Sequence, residues 1–419
     1  MSLDISNLTK EANAGDVDVQ LQLAELYETG FGVPIDRGQA AYWYRQAAEK
    51  GSAKAQSTLG QLYIRGIGVP EDFSEAVVWL RKAAEQDEAV AQANLAWCYQ
   101  QGLGLEVDAV EALEWYSRAA KLGHAGARYN LGYMYSNGLG TDRNYAEAVS
   151  WYNKAAEQGH MKAQLNVGLM YAFGQGVEKS EETAVKWYQK AAEQGYDKAQ
   201  YNLALMHAGG HGVIQNDNIA AEWQLKAAMQ GYARAEFNLG LLYSYGLGVE
   251  QDYEKAVEWF KRAAEQGYAK ADYQLGKLYH DGLGVIANEI ESAKYYQSAA
   301  EGGYGRAQYR LGRLYLDGKG VQRDESIACG WFEKAAMQGS IKAQYILGVC
   351  YARGIGLSKD YVMAYAWLSL ACQSGDDFMQ KVFDRLKGKL SEDDKAEANR
   401  LAGEWQAVYE TNSTIVVSQ

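Results

Sequence analysis

His207 and His211 stand four residues apart, the spacing at which two imidazoles on one helix can share a metal ion. Gly209 and Gly210 lie between them and break that helix, and His207 fills a position that is Tyr in the other repeats. Both are therefore read as structural, and no metal or cofactor is expected. Cys98, Cys329, Cys350 and Cys372 all occupy apolar positions. They are expected to be buried free thiols, which agrees with a reducing compartment. Gly-rich stretches such as GIGVPED (66–72) and GLGVEQD (246–252) invite a phosphate-loop reading. They lack the G-x-x-x-x-G-K-[ST] pattern and follow no strand, so they are read as turns. No Ser-His-Asp or Cys-His pairing emerges, and most carboxylates fall at caps or on solvent faces. No catalytic residue is assigned and no enzyme is expected; a small-ligand sensor or enzyme with its site in a groove is the lesser alternative.

The chain that carries these residues has 419 positions, 48% of them hydrophobic, enough for a packed core. Its 53 acidic residues outnumber 41 basic ones, for a formal net charge of -12. With no basic excess to neutralise phosphates, nucleic acid is excluded as a first reading. No apolar run is long enough to span a membrane. The opening residues MSLDISNLTKEANAG have neither a basic head nor an apolar stretch, so they are not a signal peptide. A cytoplasmic location is expected, with a periplasmic or secreted one as the alternative if a leader has been removed.

The elements that position everything else come from a repeat. Ala55 and its equivalents recur every 36 residues to Ala343, and so do the glycines from Gly30 to Gly354 and from Gly32 to Gly356. Ten units fill residues 17–376: 17–52, 53–88, 89–124, 125–160, 161–196, 197–232, 233–268, 269–304, 305–340 and 341–376. Each reads as two helices. In the seventh, Ala235, Leu239, Leu242 and Tyr243 share one face of the first helix at helical spacing. Gly240 beside them is Gly in seven units and Ala in three, the mark of a close crossing. Gly246 suits a left-handed C-cap. The second helix opens at Asp252, whose ten equivalents are all Asp, Asn or Ser and so all able to cap. Ala256, Trp259, Ala263 and Ala264 form its apolar stripe. It closes at Gly267, or at Asp87 in the second unit.

The unit reads A-x-x-x-L-G-x-x-Y-x-x-G-x-G-V, then D, then A-x-x-W-Y-x-K-A-A-E-x-G, as in ARYNLGYMYSNGLG followed by NYAEAVSWYNKAAEQG. It closely resembles the Sel-1-like repeat, a relative of the tetratricopeptide repeat. The resemblance implies an all-α, right-handed superhelical α-solenoid whose concave groove binds other proteins. The family is not catalytic as a rule. Its members act as adaptors or scaffolds in bacterial signalling, envelope and host-interaction systems and in eukaryotic protein quality control. A disulfide-rich branch pairs cysteines eight apart, but that partner for Cys372 is Gln380.

The ends fit the same scheme. Residues 1–16 form an N-terminal cap, in which Ala12 and Gly15 match Ala48 and Gly51. Residues 377–410 form C-terminal capping helices, with Phe383 and Leu386 in register and Asp384 at the crossing position. Ser391 and Asp394 are spaced like a capping box, and Leu401, Trp405 and Val408 are the expected docking residues. Residues 411–419 are expected to be a mobile tail.

The candidate functional surface is the first-helix face opposite the core stripe. Two residues before the recurring Leu stand Tyr129, Tyr201, Phe237 and Tyr273; two after it stand Trp97, Tyr133 and Leu241. Phe173 and Tyr245 occupy the last position of their first helices. Beside them run Asn130, Asn202 and Asn238 within a row of Asn, and Lys198 and Arg234 within a basic row. Aromatics off the structural stripe point to a protein or peptide partner. The Asn and basic rows could satisfy a peptide backbone or a carboxylate, so a partner segment with negative charge is expected.

Overall fold

The computed structural model describes residues 5–417, leaving residues 1–4 of the N-terminal cap and 418–419 of the expected tail outside the described residues. Among them are 23 α-helices and no strand. The chain divides into two compact units, Met1–Ile214 and Gln215–Gln419. The first helix of the sixth repeat, Asp197–Gly209, belongs to one and its second helix, Asp217–Met229, to the other. Each unit is a solenoid of stacked helical hairpins.

Local chemistry sets the helix ends. All ten second helices start from a side-chain oxygen that accepts backbone N–H bonds, from Asp36 to Asp360. All ten first helices stop at a left-handed Gly whose N–H returns to the carbonyl four residues back, as Gly246 does to Leu242. Asp87, at φ 60°, is the one non-Gly residue with positive φ among the described residues.

Two glycines show what the spacing demands. A Cβ on Gly240 would lie 2.6 Å from the Phe260 ring, so the two helices of that hairpin cross too closely for a side chain. A Cβ on Gly248, itself at φ 68°, would collide with the Asp217 carbonyl at the start of the preceding second helix. The second turn glycine is therefore an inter-repeat contact as well as a turn residue. Phe260 and Val257, outside the expected stripe, are the buried residues beside Ala256 and Ala263. Trp259 is only half-buried, with the Arg262 guanidinium 4.6 Å over its ring. The same stacking recurs at Trp79–Lys82, Trp115–Arg118, Trp151–Lys154, Trp187–Lys190, Trp223–Lys226 and Trp331–Lys334.

A buried amide joins successive hairpins. Gln56 Nε2 donates to the Ala48 carbonyl at 3.0 Å, eight residues back and one repeat earlier. Gln20, Gln92, Gln164, Gln200, Gln308 and Gln344 repeat this bond at 2.8–3.3 Å. Arg128 makes it through Nε at 3.0 Å. Only Glu236 and Asp272, acidic at that position, cannot donate in the ionised form.

At the C-terminus Phe383 and Leu386 are buried, and Asp384 is exposed between Gln380 and Lys387. Ser391 and Asp394 form the reciprocal capping box. Trp405 stacks on Trp367 at 3.9 Å, and Leu401 packs on the same cluster. Val408 remains 45% exposed and does not dock. The last helix, Glu392–Val417, runs on through positions 411–417, past the expected boundary at 410.

Candidate partner-binding surface

The two first-helix registers separate in the structure. The residues two after the recurring Leu stay accessible: Trp97 is 36% exposed, Tyr133 and Leu205 42% each, with Leu169 and Leu241 half-buried. Phe173 and Tyr245, at the helix ends, are more exposed still. Leu241 packs in part against a core shared with the next repeat, while Trp97, Tyr133, Phe173, Leu205 and Tyr245 remain exposed, which is the condition for an interaction surface.

The residues two before the Leu behave differently, and the expectation that they face away is corrected. Phe237 is buried, its ring 5.7 Å from Phe260 and 5.1 Å from Tyr268 at the head of the next first helix. Tyr129 stacks on His160 at 4.7 Å, and Tyr273 meets Tyr304 at 5.2 Å. Both, with Tyr201, are half-buried. Stacking places the start of the following hairpin over this flank, so these aromatics seal the joint between repeats. Burial accordingly raises the Tyr129 hydroxyl pKa and pushes Tyr152 beside it up to about 12. Burial, with help from Lys162, lowers the pKa of His160.

The Asn row is divided in the same way. Asn130 lies near the Tyr116 hydroxyl, which itself donates to Gln100 at 3.2 Å, and Asn166 lies near those of Tyr129 and Tyr152. Asn94 and Asn130 also line a cleft of about 370 Å³ with Trp97. Asn202 shares a second cleft, about 290 Å³, with Leu169, Phe173 and Leu205. Asn238 is half-buried. The basic row, Lys162, Lys198, Arg234, Lys270, Arg306 and Lys342, is exposed throughout. No ion pair engages any of the six among the described residues. The structure thus brings Trp97 together with Asn130, and Phe173 with Asn202. It leaves Tyr133, Lys198, Arg234 and Tyr245 singly exposed.

His211 Nδ1 lies 3.6 Å from Glu181, while His207 Nδ1 is buried without a hydrogen-bond partner. The four cysteines are free, and the Cys329 thiol donates to the Ile355 carbonyl of the next repeat at 3.2 Å. That bond was not legible from spacing, because the two positions lie 26 residues apart in different repeats.

The Sel1 repeat family model matches ten segments, 17–52, 53–88, 89–124, 125–160, 162–196, 197–232, 233–268, 269–304, 305–340 and 341–376. Among solved structures, the chain is similar to a protective antigen of uropathogenic Escherichia coli strains that displays an SLR fold. The two are 32% identical over 98% of this chain and 97% of that one, with a TM-score of 0.68. It is also similar to a Sel1 repeat protein from Oxalobacter formigenes, 37% identical over 73% of this chain and 90% of that one, with a TM-score of 0.63. Among curated proteins none matches. Ten matched segments on a stack of 36-residue helical hairpins leave one assignment: the chain belongs to the Sel1 repeat family.

Proposed function

We propose that the protein is a non-catalytic interaction scaffold that captures a partner protein or peptide along its exposed first-helix face. The observation that carries this reading is the uncovered Trp97, Tyr133, Phe173 and Leu205 of the first unit and Tyr245 of the second, each unit also carrying basic-row cations without ion pairs. Large aromatics at accessible positions supply most of the energy of protein interfaces, and unpaired cations bias the choice toward a partner segment with negative charge. The mechanism is equilibrium binding without turnover. The test is capture by the full chain, compared with the Trp97→Ala, Tyr133→Ala, Tyr245→Ala triple variant at matched thermal stability. The triple variant is expected to lose the partner that the parent retains. Equal retention by both would overturn the reading.

The likeness to a protective antigen favours a second setting for the same activity, at the cell envelope or in contact with a host. Fractionation of cells carrying the complete native gene separates the two settings. Recovery with the cytoplasmic fraction alone would remove the second.

A further inference from the structure

One cavity in the second unit inverts the chain's overall charge. It holds about 630 Å³, and its wall carries Arg306, Arg310 and Lys342 with Tyr273, Tyr304 and Tyr309. No Asp or Glu lines it, in a protein whose formal net charge is -12. Arg306 and Lys342 belong to the basic row. Arg310 stands where earlier repeats carry Asn94, Asn130, Asn166, Asn202 and Asn238, so this cation is a local departure from the repeat. Among the described residues none of the three has an acidic partner.

Three like charges around one recess repel each other unless an anion joins them. Guanidinium forks match carboxylates two bonds at a time, and tyrosine rings beside them restrict water and accept methylene groups. The N-terminal turns of helices Gly305–Asp317 and Ile341–Arg353 also border the recess, through Gly305 and Ser340. Neither helix receives a side-chain cap bond. The volume far exceeds that of a single inorganic oxyanion and suits a short stretch of chain.

We infer that this cavity binds a partner segment carrying neighbouring Asp or Glu side chains, with Arg306, Arg310 and Lys342 holding the carboxylates. The inference rests on the partner-surface reading above and names the chemistry of one part of that surface.

The probe is a fluorescein-labelled tetraglutamate peptide, titrated with the full chain at low ionic strength and read by anisotropy. Tetraglutamine is the neutral control. Tetraglutamate is expected to bind and tetraglutamine to fail. The double variant Arg306→Gln, Arg310→Gln should weaken binding by about tenfold or more, and Lys342→Gln by about threefold. Lys121→Gln, which removes an exposed cation outside the cavity, should leave it unchanged. All three cations are exposed, so these variants preserve the core, and coincident melting curves check this. Equal affinity for the two peptides, or for parent and double variant, would overturn the assignment. So would inorganic phosphate saturating the site without being displaced by tetraglutamate. Either result, obtained while the aromatic triple variant still loses its partner, removes the acidic-segment assignment and leaves the scaffold reading standing.

Discussion

Gln266 Nε2 donates to Glu236 Oε2 at 2.7 Å, across 30 residues, from the end of the second helix of one repeat back to its first helix. Gln86–Gln56, Gln194–Gln164 and Gln338–Gln308 make the same bond at 2.7–2.9 Å. In those three repeats the acceptor residue is an amide that also donates to an earlier carbonyl. Glu236 accepts like the others but, when ionised, has nothing to donate toward Ala228.

Glu236→Gln is therefore expected to stabilise the protein. Burial holds the Glu236 carboxyl above its ordinary range. The fold disfavours the charged form, so stability is full below the ordinary pKa and declines as pH rises through the raised one. The variant removes that decline and adds a donor. The gain should be about 1 kcal/mol near pH 7 and should vanish in acid, below about pH 4. Melting temperatures of parent and variant across pH measure it; a constant gain at every pH would contradict the account.

The hairpin crossing predicts opposite signs for two Gly→Ala changes. Gly240→Ala puts a methyl 2.6 Å from Phe260 and should cost about 1–3 kcal/mol. Gly330 lies inside helix Glu325–Ala336, and a Cβ there meets nothing within 4 Å. Gly330→Ala should stabilise by about 0.5–1 kcal/mol through helix propensity. Urea denaturation of both variants compares them directly.

The two aromatic registers should part in stability as they do in burial. Phe237→Ala empties a site enclosed by Phe260 and Tyr268 and should cost about 3 kcal/mol or more. Tyr133→Ala and Tyr245→Ala remove exposed side chains and should stay within about 0.5 kcal/mol of the parent. Chemical denaturation reads both; a large loss at Tyr133 would mean that it packs rather than waits for a partner.

Thiol chemistry gives an independent check of burial. Cys98 is fully buried and its thiol is pushed up to about 11, while Cys329 and Cys350 lie in the core of the last repeats. Cys372 is half-buried, its pKa raised mainly by desolvation. At pH 8 an aromatic disulfide reagent should react with Cys372 first in the native protein, and with all four only after denaturation. Fast native reaction at Cys98 would refute the packing of that repeat.

The fold was legible because its signals are local and repeated. Asp252 and its equivalents cap, Gly246 and its equivalents terminate, and a period of 36 residues fixes the hairpin. The site was legible only in part. A helical wheel drawn on one isolated helix shows that Phe237 and Tyr133 both leave the core stripe. It does not show which flank the next hairpin will cover, and that decides that Phe237 packs while Tyr133 stays open. The buried Gln series runs against the general expectation that amides lie at the surface. Its recurrence at one register, from Gln20 to Gln344, was the available sign of a joint. The cation–π pairs could have been found in the same way, as Lys or Arg three residues after Trp.

The amide joint has a consequence for how such a chain can lengthen. Its two halves, the Gln and the carbonyl eight residues before it, straddle the boundary between neighbouring repeats, as in Gln56 with Ala48 and Gln92 with Ala84. A tandem duplication of residues 53–88 would place the copied Gln56 eight residues after the original Ala84, and Gln92 eight after the copied Ala84. The amide bond at the new boundary would be remade without a single substitution. Growth by whole repeats thus preserves this bond, leaving the exposed side chains of each copy free to drift toward a different partner.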